Sequence, residues 1–446
     1  MNRRSALLTC LAPVAFGQQS ADIISRISGG QQPTIAVPDF RGSGDAQPWM
    51  QIFNLTLFDE ISSAGLFKMA PKSFYPLQVP QQPNDWKAPV GGRSAGPWLT
   101  DWSGPVVKAN YLAMGYTAIQ NNQLVLFGWL YDVNQADLTN AQMFGKVYFG
   151  TIDEAGTKKI AREFAADILA KFGAKSLLGS KIYFVSNRSG AKEIWSMDYD
   201  GSNQKPVTRY NSICTTPSLS RDNSKLAFTS FLQGNPGITV MTADSARRLT
   251  FVNPVSSIVA SPDFTPDGKL ILLATKIGGG YQNIFSANAD GSNLTRITTA
   301  RAVETEPKVN PQNSSEVVFV SGRSGPAQVY RMNISGSDIE RLTDGTGQAA
   351  NPSWNPNGKI IAFSWTRGFE PGNFNIFMMD VAKRELTQLT HGAGRNQNPV
   401  WGPDGLHIAF CSTRSGSPQI WTMLADGTQL RPLTTVGRNE MPVWSH

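Results

Sequence analysis

From about residue 180 to the C terminus, short apolar runs alternate with turn-forming pairs, and the alternation repeats. Six runs, at 182–185, 226–228, 270–273, 317–320, 360–363 and 408–410, are almost continuously apolar. A short apolar run without polar alternation predicts a strand buried on both faces. A proline returns in step with these runs, as Pro217, Pro262, Pro307, Pro352, Pro399 and Pro442, at intervals of 45, 45, 45, 47 and 43 residues. Asp267-Gly268, Asn357-Gly358 and Asp404-Gly405 follow the proline-led strand, and Asp200-Gly201, Asp290-Gly291 and Asp426-Gly427 follow the third strand. Asp and Asn tolerate left-handed backbone and Gly adopts it freely, so these pairs predict tight hairpins. A period in the mid-forties with four short strands predicts one four-stranded sheet per repeat, arranged radially as propeller blades.

The repeat begins and ends out of phase. The run at Lys181 has no proline-led strand before it, and Pro442-Val443-Trp444-Ser445 has no second strand after it. The two defects match, so the last strand is expected to complete the first blade and close a six-bladed ring, leaving no open sheet edge. A linear solenoid has no reason to start and stop mid-repeat. Residues 180–446 are therefore read as the propeller.

Residues 33–175 have a different texture and predict a small α/β domain with a mixed sheet. A strand is expected over 34–40, a helix over 47–64 stopped by Gly65, and a second strand from Leu66. Three more strands are expected at 111–118, 123–132 and 142–149. A closing helix follows, with Ile160, Phe164, Ile168, Leu169 and Phe172 on one stripe, ending at Gly173. The Pro-, Gln- and Gly-rich stretch 76–97 reads as a long surface excursion. Before this domain, Met1-Asn2-Arg3-Arg4 and an apolar run ending in small residues read as a secretory signal, residues 1–17, cleaved near Gln18. The run is too short to span a bilayer, and the paired arginines leave a twin-arginine export route open. No later segment is long and apolar enough to be embedded in a membrane.

Composition changes this picture little. The 446 residues carry a net charge of +7, but no run of Lys and Arg interleaved with aromatics appears, so nucleic acid is not expected as a partner. After cleavage only Cys214, placed in a loop, and Cys411, on a second strand, remain. Their repeat positions set them apart, as isolated thiols. One catalytic-looking pattern exists, Gly92-Arg93-Ser94-Ala95-Gly96. A nucleophile elbow needs a strand before it and a helix after it, whereas Pro89 and Pro97 flank this one. His391, His407 and His446 are the histidines of the chain. Scattered as they are, with two thiols, they predict no dedicated metal site, no cofactor and no catalytic residues.

The signal, the small α/β domain and the repeat text resemble the TolB family. The repeat is clearest in Asn398-Pro399-Val400-Trp401-Gly402-Pro403-Asp404-Gly405 followed by Gln419-Ile420-Trp421-Thr422-Met423. The resemblance extends to residues 34–40, 110–116 and 156–172. It implies a non-enzymatic periplasmic scaffold of the Tol-Pal envelope system, monomeric, that supports outer-membrane integrity and constriction at division. It implies that the propeller mouth binds the peptidoglycan-associated lipoprotein Pal, and that residues 18–32 engage TolA. By the family's register, the partner-binding candidates lie in loops just before each proline: Ile258, Ser261, Thr305, Glu306, Asn351, Arg395 and Asn398. Loops from all blades converge at one end of a propeller, which is the physical reason to expect a site there. Asn351 and Asn398 have a plainer reading as turn residues. Two departures from the family are the apolar stretch 255–260 and the length of the 76–97 excursion. The rival readings are a propeller subunit of a hydrolase or lyase and a glycan-binding module using Trp354, Trp401 and Trp444. Recurrence of these tryptophans at one strand position favours packing.

Overall fold

A computed structural model describes residues 32–255 and 258–446. The expected signal, residues 1–17, and all of the 18–32 segment except Gln32 lie outside the described residues.

Six four-stranded antiparallel sheets form the propeller. Their innermost strands are Cys214–Leu219, Val259–Phe264, Glu304–Val309, Ala349–Trp354, Asn396–Trp401 and Asn439–Trp444. The last of these pairs with Lys181–Ser189 in the order expected, so the C-terminal strand completes blade 1 and the others form blades 2 to 6 in chain order. Trp444 is buried at the end of that strand, and its indole N–H donates to Ser180 Oγ at 3.0 Å. The Lys181 amide in turn donates to Ser445 Oγ at 2.8 Å. The second strands are buried throughout, as their unbroken apolar text predicts: Ile360–Trp365 and His407–Ser412 are covered at every residue. Both thiols are free and buried, though Cys214 opens an innermost strand instead of lying in a loop.

The turn chemistry differs from the expectation in one respect. In the Asp-Gly and Asn-Gly pairs only the glycine is left-handed, for example Gly268 at φ 67° and Gly201 at 89°. The acidic or amide residue works through its side chain. Oδ1 of Asp200, Asp267, Asp290, Asn357, Asp404 and Asp426 each accepts the backbone N–H two residues on. This is the Asx-turn use of these residues.

The first domain is a mixed sheet. Thr34–Ala36 lies between parallel neighbours Lys68–Met69 and Tyr111–Gln120, and Gln123–Asp132 and Gln142–Gly150 continue antiparallel. Helices Met50–Ser63 and Glu154–Lys171 cover one face, burying Phe53, Leu57, Ile61, Ile160, Phe164 and Ile168. Asp153 caps the second helix by accepting the Gly156 N–H at 2.7 Å. The 76–97 excursion runs largely over the surface, as expected, but it is anchored. It is no simple surface loop, because Trp86 packs with Leu99 and Trp102 into a second core on the other face of the sheet. Its Gly-rich tip carries Ser94 in exposed loop, with Val90 and Arg93 bridged around two left-handed glycines.

In each blade the strands run up and down, so the loops before the innermost strand share one end of the ring with those between second and third strands. The first domain docks on the opposite end, over blades 1 and 6. Glu60 accepts from the Tyr199 hydroxyl and from Arg162 Nε, and Arg162 also pairs with Asp200. Burial pushes the Glu60 carboxyl up, with Tyr199 and Arg162 opposing. His407 Nε2 donates to the Ser63 carbonyl at 2.9 Å, while Nδ1 meets Asp404 Oδ2 at 2.5 Å. Burial disfavours the Asp404 carboxylate, yet His407 beside it holds its pKa below the ordinary value.

Deleting residues 440–446 is predicted to remove cooperative melting of the propeller or to drive oligomerisation, measured by calorimetry and light scattering. The milder Trp444→Ala keeps the ladder and is expected to cost about 3–5 kcal/mol, the usual loss for a large buried aromatic. A monomer with an unchanged melting midpoint after the deletion contradicts the ring-closing role.

Candidate functional site

The six innermost strands share one local device. Thr216, Ser261, Glu306, Asn351, Asn398 and Met441 precede the periodic prolines, and all have left-handed backbone, with φ between 47° and 54°. The strand register shifts at this point in every blade. This is a β-bulge, and proline suits it because a residue without an N–H loses least where the ladder is already broken. Each strand begins three residues before its proline. The sequence reading of loops just before the prolines is therefore corrected: Ser261, Thr305, Glu306, Asn351 and Asn398 lie within strands, and of the seven candidates only Ile258 and Arg395 are loop residues.

The bulges line a central channel with a cavity of about 200 Å³, which includes Ser261, Glu306, Asn351 and Asn398. There, side chains of one blade satisfy backbone donors of the next. Glu306 Oε2 accepts the Asn351 N–H at 2.6 Å, and Oε1 accepts Asn351 Nδ2 at 3.1 Å. Asn351 Oδ1 and Ser364 Oγ receive the Asn398 N–H at 3.4 and 3.2 Å. Thr229 Oγ1 takes that of Ser261 at 3.3 Å, and Met441 Sδ that of Thr216 at 3.5 Å. Ser261 and Thr305 hydroxyls meet at 3.4 Å. Burial pushes the Glu306 carboxyl up, against the Asn351 N–H and the Lys308 charge. Glu306 and Asn351 are thus committed to each other, and that contact is the tightest link.

The mouth is built differently. The residue just before each innermost strand offers its carbonyl to the N–H at the start of the neighbouring loop, in all six blades: Ile213 to Phe231, Ile258 to Lys276, Val303 to Gly322, Gln348 to Thr366, Arg395 to Thr413 and Arg438 to Asn187, at 2.9–3.4 Å. These six residues are structural equivalents that differ only in side chain. Three consecutive blades present Ile213, Ile258 and Val303, and the other three present Gln348, Arg395 and Arg438. Ile277 and Tyr281 extend the apolar half, at 45% and 51% exposure. Of the predicted candidates, the structure puts Ile258 and Arg395 on this rim, in opposite halves. The remaining rim residues were missed because the proline, three residues downstream, was taken to mark the strand's start.

Glu306→Ala is predicted to leave the Asn351 N–H groups without acceptors and to cost about 1–3 kcal/mol, read as a lower denaturation midpoint with unchanged slope. Glu306→Gln keeps one acceptor and recovers most of this. An alanine variant that denatures at the wild-type midpoint removes the carboxylate from the account.

Comparison with known proteins agrees with this architecture. The family described as "TolB beta propeller domain" matches residues 171–370 and 345–446. Among curated relatives, a TolB homolog of Chlorobaculum tepidum is 31% identical over 57% of this chain and 53% of its own length. A Tol-Pal system protein TolB of Desulfosudis oleivorans is 30% identical over 66% of this chain and 63% of its own length. The chain spans about a third of the length of the TolB homolog of Chlorobium luteolum, at 38% identity over 35% of each. The crystal structure of TolB from Acinetobacter baumannii superposes with a TM-score of 0.73 at 19% identity, covering 93% of this chain and 97% of that one. That likeness extends the match in fold to the first domain. With a family match over the whole propeller and a fold shared along nearly all of both chains, this protein belongs to the TolB family.

Proposed function

We propose that this chain is the non-enzymatic periplasmic scaffold of a Tol-Pal system. In this reading it binds the peptidoglycan-associated lipoprotein Pal at the propeller mouth and TolA through residues 18–32, and so supports outer-membrane integrity and constriction at division. Membership of the TolB family carries the reading. The geometry supports the choice of surface: the first domain occupies one end of the ring, and the other end presents the exposed apolar residues Ile213, Val303, Ile277 and Tyr281, the kind of side chain that marks protein contacts. No helix among the described residues is long and apolar enough to cross a membrane.

The rival readings lose their residues. Trp354, Trp401 and Trp444 are 8%, 4% and 1% exposed, so they are packing residues and not a sugar-stacking platform. His407, which a metal-dependent lyase would need in its centre, is held between Asp404 and Ser63 at the domain junction. Ser94 sits in exposed loop without the strand and helix that an elbow requires.

Calorimetric titration of the mature protein with the cognate Pal periplasmic domain tests the proposal. Wild type is expected to bind, and Ile213→Asp/Val303→Asp to lose at least about 100-fold, since two buried anchors of an interface are charged. Lys269→Glu, on the opposite end, should bind as wild type does. A folded wild type without Pal binding contradicts the reading.

A further inference from the structure

Charge is distributed unevenly between the two ends of the propeller. Outside the strands, the connections at the mouth end hold eight Lys and Arg against two acidic residues, Asp344 and Glu370. At the end that carries the first domain, the corresponding turns hold six basic against nine acidic residues.

The surplus is concentrated over blades 6 and 1. Arg395 and Arg438 are exposed there, at the rim position that is Ile213, Ile258 or Val303 across the ring. Each is fixed beside a second arginine. The Arg395 N–H donates to Thr413 Oγ1 at 2.9 Å, next to Arg414, and the Arg438 N–H donates to Asn187 Oδ1 at 2.8 Å, next to Arg188. Both exposed guanidinium groups act on the Cys411 thiol, which burial pushes up to about 12 with Glu440 adding to the rise and Arg438 and Arg395 opposing it.

The inner arginines reveal how this half differs. In blade 4, Arg323 lies over Phe319 and Tyr330 and pairs with the buried carboxylate of Glu304. In blades 6 and 1 the same clamp is built on neutral acceptors. Arg414 lies over Phe410 and Trp421 and donates to Ser412 Oγ and Asn396 Oδ1, at 2.9 and 3.0 Å. Arg188 lies over Phe184 and Trp195 and donates to Ser186, Gln204 and Asn439. Asn396 and Asn439 thus stand where blade 4 has Glu304, and neither Arg414 nor Arg188 forms an ion pair of the kind Arg323 makes. Of the carboxylates close by, Glu440 is taken up by Lys192, and the buried Glu193, opposite Ser186 in the ladder, accepts from the Thr208 hydroxyl and the Asn211 N–H.

We infer that the arc Arg188, Arg395, Arg414 and Arg438 receives a cluster of acidic side chains on the protein partner that docks at the mouth, while Ile213, Ile258 and Val303 receive its apolar residues. The inference rests on the proposed docking of a Tol-Pal partner at this end and specifies the chemistry of that partner's face. The bipartite rim also fixes the partner's rotation about the propeller axis, because turning it by half a revolution would set its carboxylates on Ile213, Ile258 and Val303.

The test uses the full mature chain and a labelled synthetic peptide of glutamate, leucine and serine, beside the same peptide with glutamine at every glutamate. The glutamate peptide is expected to bind at least about ten-fold tighter, and Arg395→Glu/Arg438→Glu, with wild-type melting, is expected to erase that preference. Raising salt from about 50 to about 300 mM should weaken the glutamate peptide and spare the other. Equal binding of the two peptides, or a preference that survives the double reversal, overturns the inference. So does binding of phosphatidylglycerol vesicles that needs both arginines and that the glutamate peptide does not displace, since the arc would then serve a lipid surface. The Pal titration repeated on the double variant separates the two readings. Pal binding that survives charge reversal removes the acidic arc and leaves Pal docking in place. Peptide selectivity in a wild type that ignores Pal does the opposite.

Discussion

Six left-handed residues, one in each innermost strand, hold the channel of this propeller in shape. For Thr216, Glu306 and Met441 that backbone is unfavourable by about 1–2 kcal/mol each. It persists because the following proline fixes the chain direction and, for Glu306 and Met441, because the side chain accepts an N–H of the next blade. The N–H that each bulge frees from its own sheet is taken up, at Asn351 and Asn398, by the neighbouring blade. The strain is therefore local while its compensation is shared. Four of the six bulges have their N–H taken up by the neighbouring blade, which couples those blades within a ring closed by Asn439–Trp444.

That constraint separates stability from recognition. The Glu306 and Asn351 side chains are spent on each other and on the Asn398 N–H, and the first domain, through Glu60, Arg162 and Ser63, covers the end where the turns are acidic. What remains for a partner is the rim, where six equivalent backbone positions carry interchangeable side chains. Ile213, Ile258 and Val303 on one half and Arg395 and Arg438 on the other make the mouth polar in direction as well as in composition. Such a two-sided rim is a product of repeat architecture: the scaffold repeats, and the rim residue is free to vary.

The propeller was legible in the sequence because period, apolar runs and turn pairs agree at every level. The out-of-phase ends even disclosed which strand closes the ring. The proline misled in one respect. Its position was read as the head of a strand, whereas it sits at mid-strand in a bulge, and sequence periodicity carries no sign of backbone handedness. That shift of three residues moved five of the seven site candidates from loop to strand and hid Ile213, Val303 and Arg438. The burial of Trp86 was illegible for another reason. Tertiary packing against Leu99 and Trp102 overrides the Pro- and Gly-rich composition around it. The difference between Asn396 and Glu304 beneath otherwise identical arginine clamps is a single-residue variation that acquires meaning only once the clamp is seen.

Hydrogen–deuterium exchange of the mature chain, alone and saturated with the Pal periplasmic domain, tests the placement of function at the mouth most directly. The account predicts new protection confined to the mouth loops, strongest in 207–213, 276–282, 389–395 and 433–438, with the first domain and the turns at 199–204 and 425–430 unchanged. Protection centred on those turns or on the first domain, with the mouth loops exchanging as in the free protein, would contradict it.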